Sequence, residues 1–117
     1  MEKESGKIGE ELASEFLQYK GYKIIDRNFK VFEGEIDIIA LDNEQNELVF
    51  VEVKTRKNSN FGSPAEFVTK SKINKIKKAA FQYLSKNPFA NWRIDAISIL
   101  LDTNEPQIEH IENITIS

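Results

Sequence analysis

The stretch GEIDIIALDNEQNELVFVEVKTR, residues 34–56, contains two apolar runs joined by a polar segment. The runs EIDIIAL (35–41) and LVFVEVK (48–54) are rich in Ile, Val, Leu and Phe on both alternating faces. Such runs are typical of central strands that are covered on both sides. The segment between them, DNEQNE, suits the loop of a hairpin. The stretch therefore predicts two antiparallel strands at the centre of a sheet.

Three charged residues, Asp37, Glu52 and Lys54, interrupt these apolar runs. Burying a charge costs free energy unless the charge is paired or binds a metal. If Leu41 pairs with Leu48, antiparallel geometry places Asp37 opposite Glu52, with Cβ atoms about 4.5–5.5 Å apart. Opposed carboxylates repel each other, and Mg²⁺, which prefers oxygen ligands, would offset that repulsion.

The residues alone leave two interpretations open. In the first, Asp37 and Glu52 bind Mg²⁺ or Mn²⁺ and the backbone carbonyl of Val53 adds a ligand. Lys54 would then stabilise negative charge that develops on a phosphate or orient a water molecule. In the second, Asp37 and Lys54 form a cross-strand ion pair in a half-exposed sheet.

Glu10 is the expected contributor from outside the hairpin, because it borders the apolar stripe of the first predicted helix. Its alternative role is that of a first-turn carboxylate that interacts favourably with the helix dipole. Gly9 and Ala13 lie one turn apart on this helix and would let it approach another element closely.

The rest of the chain predicts two helices and three more strands. The first helix spans about residues 3–20, with Gly21 as its stop. A strand covers 22–26. Ser63, Pro64 and Glu66 resemble the capped start of a second helix, which runs to about residue 86 with an interruption near Thr69. Strands follow at 92–101 and 107–116, the last at an edge. The order α-β-β-β-α-β-β predicts an α/β fold with a mixed central sheet flanked by helices.

Length and composition indicate a single domain, residues 1–117. Without cysteine the chain forms no disulfide or thiolate metal site. It contains no apolar run of the ~20 residues that cross a bilayer, and its charged N-terminus lacks a signal core. We therefore expect a cytoplasmic protein with no membrane contact.

Charge is unevenly distributed along the chain, whose net charge is −3. Residues 33–52 carry seven acidic groups and no basic one, whereas residues 54–78 carry eight basic groups against Glu66. An acidic cluster beside a basic stretch suits a metal site next to a phosphate track, although a solvated lysine-rich helix is the alternative. The expected nucleic-acid contacts are Arg56, Lys57, Lys72, Lys75, Lys78 and Asn28, the last of which suits a turn equally well.

Two further polar residues receive structural interpretations. Asp95 lies within an apolar strand and is expected to pair with Arg93 or another cation. His110 is the one histidine of the chain and is expected to be incidental.

The motifs GEIDIIA and VFVEVKTR, preceded by GEELASEFLQYKGYKIIDRNF, resemble the YraN family of small bacterial proteins. The resemblance continues through Lys72, AAFQYL and RIDAI and covers most of the chain. That family is placed in the PD-(D/E)xK superfamily, whose fold is restriction-endonuclease-like and whose relatives include archaeal Holliday-junction resolvases. Ile36 stands where the superfamily motif has proline.

The resemblance assigns roles to residues of this chain. Asp37, Glu52 and Lys54 take the motif positions, and Glu10 takes the acidic position on the helix. It implies a metal-dependent nuclease that cleaves DNA at branched or damaged structures and works as a homodimer. The alternative is a non-catalytic nucleic-acid-binding or adaptor module on a nuclease fold, for which a partner protein would supply affinity for DNA.

Overall fold

The computed structural model describes residues 2–57, 68–102 and 104–115. These described ranges contain two helices and five strands, which follow each other in the predicted order. They are α1 (Glu2–Tyr19), β1 (Tyr22–Val31), β2 (Gly34–Asp42), β3 (Glu47–Arg56), α2 (Lys70–Lys86), β4 (Trp92–Leu100) and β5 (Gln107–Ile111). The expectation of an α/β fold with a mixed sheet flanked by helices is thereby confirmed.

The five strands form one sheet in the order β1-β2-β3-β4-β5. Neighbouring strands are antiparallel except β3 and β4, which are parallel and are connected through α2. Leu41 pairs with Leu48, so the register assumed for the central hairpin is correct. β5 lies at an edge, as its alternating pattern predicts.

Each face of the sheet packs against one helix. The first core contains Ala13 and Leu17 of α1 with Ile38, Val49 and Ile97 of the sheet. The second contains residues of α2 with the opposite face of the same strands, and its members include Ile76, Ala80, Ile39, Phe50 and Ile94. Because β2 and β3 contribute to both cores, their continuous apolar runs are explained by burial on two sides.

Helix α1 approaches β3 closely at Gly9. A Cβ atom at this position would collide with the side chain of Thr55. Ala13, one turn later, is fully buried. The small residues therefore do what their spacing predicts, and their close approach brings the first half of α1 beside the C-terminal half of β3.

The structure corrects the predicted bounds of several elements. β1 extends to Val31, well beyond residue 26. β5 ends at Ile111, since Asn113 has a φ of 54° and its N–H donates to the Asp95 carboxylate. α2 begins after Thr69, whose hydroxyl accepts a hydrogen bond from the Lys72 N–H. The predicted cap at residues 63–66 lies outside the described residues.

Within the described part of the chain, neither helix combines the length and apolar character that crossing a membrane requires.

Candidate metal and nucleic-acid site

Asp37 and Glu52 lie where the ladder between β2 and β3 stops. The last Cα pair of this ladder joins Ile38 to Val51, and the same register continued by one step opposes Asp37 to Glu52. Beyond it, the Val53 N–H donates to Oδ2 of Asp37 over 2.7 Å. The Asp37 carboxylate thus takes the place of a backbone carbonyl as the acceptor of the Val53 N–H. The two acidic side chains lie together at this end of the ladder.

The neighbouring strand is also irregular beside Asp37. In the β1–β2 ladder, Arg27 pairs with Ile38 and Phe29 with Ile36, so Asn28 lies beside Asp37. Asn28 has a left-handed backbone with a φ of 56°. Asn tolerates this conformation better than most residues. Asn28 lies within β1, so the turn role considered for it is wrong, while its contact with nucleic acid stays a prediction.

The two carboxyls are buried and interact unfavourably when both are ionised. Asp37 is 8% exposed and Glu52 is 9% exposed. The pKa of Asp37 is raised to about 8 by burial, by the charge of Glu52 and by a hydrogen bond with that carboxyl, against the lowering effect of the Val53 N–H. Burial and the neighbouring like charge therefore favour the protonated form of Asp37.

Glu10 contributes to the same electrostatic environment from α1. Its charge is among the causes that raise the pKa of Asp37. This effect places a third acidic side chain within electrostatic reach of the pair, on the helix from which the sequence expects it.

Among the residues with a described position, Lys72 is the cation that reaches the pair. Its Nζ lies 2.6 Å from Oε2 of Glu52. The expected role of Lys72 was contact with phosphate, and this contact with Glu52 was missed. Strand alternation was a signal for this contact. Val53 packs on the α1 side of the sheet, so its neighbour Glu52 faces the side of α2.

Lys54 has a different environment from Lys72. It is exposed, and among the described residues its ammonium forms no ion pair with Asp37 or any other carboxylate. The cross-strand Asp37–Lys54 pair, which was the structural alternative to a metal site, is therefore wrong. Lys54 shares the Glu52 face of β3 by strand alternation, so its charge is available beside the carboxylates.

The donor chemistry of the pair fits Mg²⁺ or Mn²⁺, since these cations prefer carboxylate oxygens and retain several waters. Asp37, Glu52 and, from α1, Glu10 would hold the ion. In the ranges that the structure describes, no group of three or more Asp, Glu or His side chains is close enough to bind a metal together. The described side chains thus supply a pair of ligands, with Glu10 further away. Val53 contacts Asp37 through its N–H, and the use of its carbonyl stays a prediction.

The remaining predicted phosphate contacts lie on two segments. Lys75 and Lys78 are exposed on α2, at successive three-residue steps from Lys72. Arg56 is half-buried at the end of β3, and Lys57 is exposed directly after it. α2 therefore carries three exposed cations that begin with Lys72 beside Glu52 and turn by about 120° around the helix to Lys78.

A second buried polar cluster surrounds Arg93. Its guanidinium donates to Asp95, Asp42 and Glu47 over 2.7–3.1 Å, and to the hydroxyl of Tyr22 over 2.6 Å. The expected Arg93–Asp95 pair is thereby observed. His110 was expected to be incidental, and this was wrong. Its Nε2 lies 2.8 Å from Oδ2 of Asp95, because the pairing of β5 with β4 brings it over the buried carboxylate.

The fold and the carboxylate pair together define an α/β protein with a candidate metal site at the edge of a hairpin ladder. The model of the uncharacterised protein family UPF0102 matches residues 9–99. The chain therefore belongs to that family, which agrees with the resemblance found in its motifs.

Several relatives match over nearly their whole length. A UPF0102 protein of Syntrophomonas wolfei is 46% identical over 115 residues, which cover 97% of this chain and 98% of the relative. One of Alkaliphilus oremlandii is 44% identical over 117 residues, with 97% and 98% covered. One of Dictyoglomus thermophilum is 48% identical over 101 residues, with 85% and 84% covered. These relatives carry only the family description as a name.

Proposed function

We propose that this chain is a metal-dependent nuclease of the PD-(D/E)xK superfamily that hydrolyses phosphodiester bonds of DNA, in particular at branched or damaged structures. The observation that carries the proposal is the meeting of Asp37 and Glu52, two buried carboxyls, at the end of the β2–β3 ladder. A protein that needed only stability would place an apolar or oppositely charged partner there.

The raised pKa of Asp37 supports this proposal. Burial and the neighbouring Glu52 raise it to about 8, which costs folding free energy at neutral pH. Strongly shifted pKa values that arise from burial beside a like charge are concentrated at functional sites. A divalent cation would remove this cost, because it stabilises both carboxylates in their ionised form.

The side chains around the pair would have different roles in catalysis and in binding DNA. A metal bound by Asp37 and Glu52 would supply Lewis-acid polarisation of the phosphoryl oxygen and a water of lowered pKa. Lys54, exposed and free of carboxylate partners in the described residues, stabilises negative charge that builds up on the phosphate. Lys75 and Lys78 bind phosphates along the strand and position it.

Two observations favour a second candidate, a nucleic-acid-binding or adaptor module without catalysis. Lys72 already neutralises Glu52, with 2.6 Å between the charged atoms. Within the described residues, no third carboxylate joins the pair to complete a metal group. In this alternative, the lysines of α2 would bind phosphate, and a partner protein would contribute the rest of the affinity.

A cleavage assay separates the two candidates. The purified chain is incubated with a four-way DNA junction and with a linear duplex in Mg²⁺ or Mn²⁺, beside Asp37→Ala and Glu44→Ala. Glu44 is an exposed carboxylate of the β2–β3 loop and serves as the matched control. The nuclease predicts that Asp37→Ala loses at least about 10³-fold in rate, since the metal contributes several kcal/mol to such reactions. Full activity of Asp37→Ala would reject the site.

A further inference from the structure

A second candidate site lies between the tip of the β1–β2 hairpin and the outer side of α2. It is an open cleft of about 500 Å³ lined by Glu33, Lys78, Phe81, Gln82 and Ser85. Its volume falls in the range of pockets that bind small organic groups, about 300–1,000 Å³. Asp37, Glu52 and Glu10 do not line it, so it is separate from the carboxylate site.

Close packing of the hairpin against α2 fixes the walls of this cleft. Gly34, the first residue of β2, approaches the backbone of Lys75 so closely that a Cβ atom would lie 2.8 Å from the Lys75 carbonyl oxygen. The hairpin tip is thereby held against the helix one turn before Lys78. The cleft is a built feature of the fold, because both of its walls belong to regular elements.

The cleft presents aromatic surface to solvent. The Phe81 side chain is 55% exposed, and its ring contacts Trp92 at right angles with centroids 5.6 Å apart. Phe32, next to Glu33 at the hairpin tip, is fully exposed. Exposed rings that are held in place stack on nucleobases irrespective of their identity, because every base has a π face.

Polar groups in the cleft are available to a ligand. Among the residues that the structure describes, the side chains of Glu33, Lys78 and Gln82 form no hydrogen bond or ion pair with each other or with a neighbour. The ammonium of Lys78 suits a phosphate. The Gln82 amide and the Glu33 carboxylate suit the edge of a base, and a carboxylate accepts from an exocyclic amino group such as that of cytosine.

The lysines of α2 surround the cleft with positive charge. Lys75 precedes Lys78 by three residues, and α2 (Lys70–Lys86) contains six lysines and no acidic residue. Lys72, which contacts Glu52, lies nine residues before Phe81, so at about 3.6 residues per turn the two side chains project from opposite sides of the helix. The cleft and the carboxylate site therefore lie on different sides of α2.

We propose that the cleft between the β1–β2 hairpin tip and α2 binds an unpaired base of a single-stranded nucleic acid, with Phe81 stacking on the base and Lys78 binding its phosphate. Charge complementarity selects this occupant, since Lys78 lines the cleft and α2 carries six lysines and no acidic residue. Because the unpaired base would be part of the nuclease substrate, this proposal rests on the proposed nuclease function. It places an unpaired base on the outer side of α2, on a different side of the helix from the site at Asp37 and Glu52.

The test measures binding without catalysis. Metal-free protein in EDTA is titrated into a single-stranded 12-nucleotide DNA that carries one 2-aminopurine, whose fluorescence falls when it stacks. Wild type should quench the emission, and Phe81→Ala should bind about 5- to 150-fold more weakly and lose the quench. Phe81→Tyr should retain both, because it keeps the ring. Lys78→Glu should also weaken binding, and it leaves the contact between the Phe81 and Trp92 rings in place.

Tyr19→Ala is the matched control, since Tyr19 is an aromatic residue of α1 that is 94% exposed. It should bind as wild type does. No quench by wild type, or equal affinity of wild type, Phe81→Ala and Lys78→Glu, would overturn the proposal. So would a wild-type dimer that Phe81→Ala converts to a monomer, because a second copy would then cover the cleft.

Failure of this proposal can be distinguished from failure of the nuclease function. Asp37→Ala, which removes cleavage in the proposed enzyme, leaves the cleft intact and should bind the oligonucleotide normally. Cleavage that depends on Asp37, together with binding that ignores Phe81 and Lys78, would overturn the cleft alone. Binding that depends on Phe81, in a protein that cleaves no DNA, would support the cleft and overturn the nuclease.

Discussion

Two buried aspartates of the same sheet have opposite environments. Asp95 is completely buried and accepts hydrogen bonds from Arg93, His110 and the Asn113 N–H. Burial opposes its ionisation, but these partners hold its pKa below the ordinary value. Asp37 is buried nearly as deeply, accepts one backbone N–H and faces Glu52, so its pKa is raised to about 8.

The difference shows that ionised Asp95 stabilises the fold, whereas ionised Asp37 lowers the free energy of unfolding. Asp95 and its neighbours Asp42 and Glu47 each have a hydrogen-bonding partner within the chain, which is what a structural cluster requires. The charges of Asp37 and Glu52 are only partly compensated, by Lys72. Proteins retain such unfavourable arrangements where activity depends on them. The comparison therefore points to Asp37 and Glu52 as the functional pair.

The largest effect on stability is expected at the Asp95 cluster. Arg93→Ala would leave Asp95, Asp42 and Glu47 without their common partner and should lower the free energy of unfolding by about 3–5 kcal/mol. Urea unfolding measures this loss. The matched control is Arg27→Ala, which removes an exposed pair with Glu11 and should cost less than about 1 kcal/mol. Equal losses in the two variants would show that the Arg93 cluster is not structurally important.

A gain in the free energy of unfolding, and not a loss, is expected when Asp37 is substituted. The folded pKa of Asp37 is raised above its unfolded value, so the native state binds more protons and becomes less stable as the pH rises from about 4 to 8. Asp37→Asn should therefore stabilise the metal-free protein, by about 1–3 kcal/mol at pH 8, as one pKa unit corresponds to 1.36 kcal/mol. Thermal and urea unfolding in EDTA should show a smaller gain at pH 5. A loss of stability at every pH would contradict the account.

A smaller effect is expected at Lys72. Its ammonium competes with a metal for Glu52, so Lys72→Ala should raise the affinity for Mn²⁺. The gain should be about five-fold, since an ion pair whose lysine side chain is 45% exposed contributes about 1 kcal/mol. Lys75→Ala, on the same helix without a carboxylate partner in the described residues, is the control for general charge. Equal affinities in both variants would show that Lys72 does not compete.

Much of the fold follows from the sequence because its apolar patterns are strong. The runs around Ile38 and Val51 are buried on two faces, and the Leu41–Leu48 register follows from a short polar loop. The bounds of β5 did not follow, because the left-handed Asn113 and its hydrogen bond to Asp95 depend on tertiary contacts.

The candidate site was predictable to a similar extent. Opposed acidic residues on paired strands place Asp37 and Glu52 together by alternation alone. The partner of Glu52 was not predictable from local pattern, since Lys72 comes from a helix 20 residues further along the chain. The same holds for His110, whose contact with Asp95 depends on the pairing of β5 with β4.

The most direct test of the account is the binding of Mn²⁺ and Mg²⁺ at pH 7 and pH 8, measured by titration calorimetry for wild type, Asp37→Ala, Glu52→Ala and Glu44→Ala. The account predicts one site in wild type and Glu44→Ala, release of a proton on binding at pH 7, and no binding by the other two variants. Absence of binding by the wild type at millimolar metal, or binding that survives both Asp37→Ala and Glu52→Ala, would contradict it.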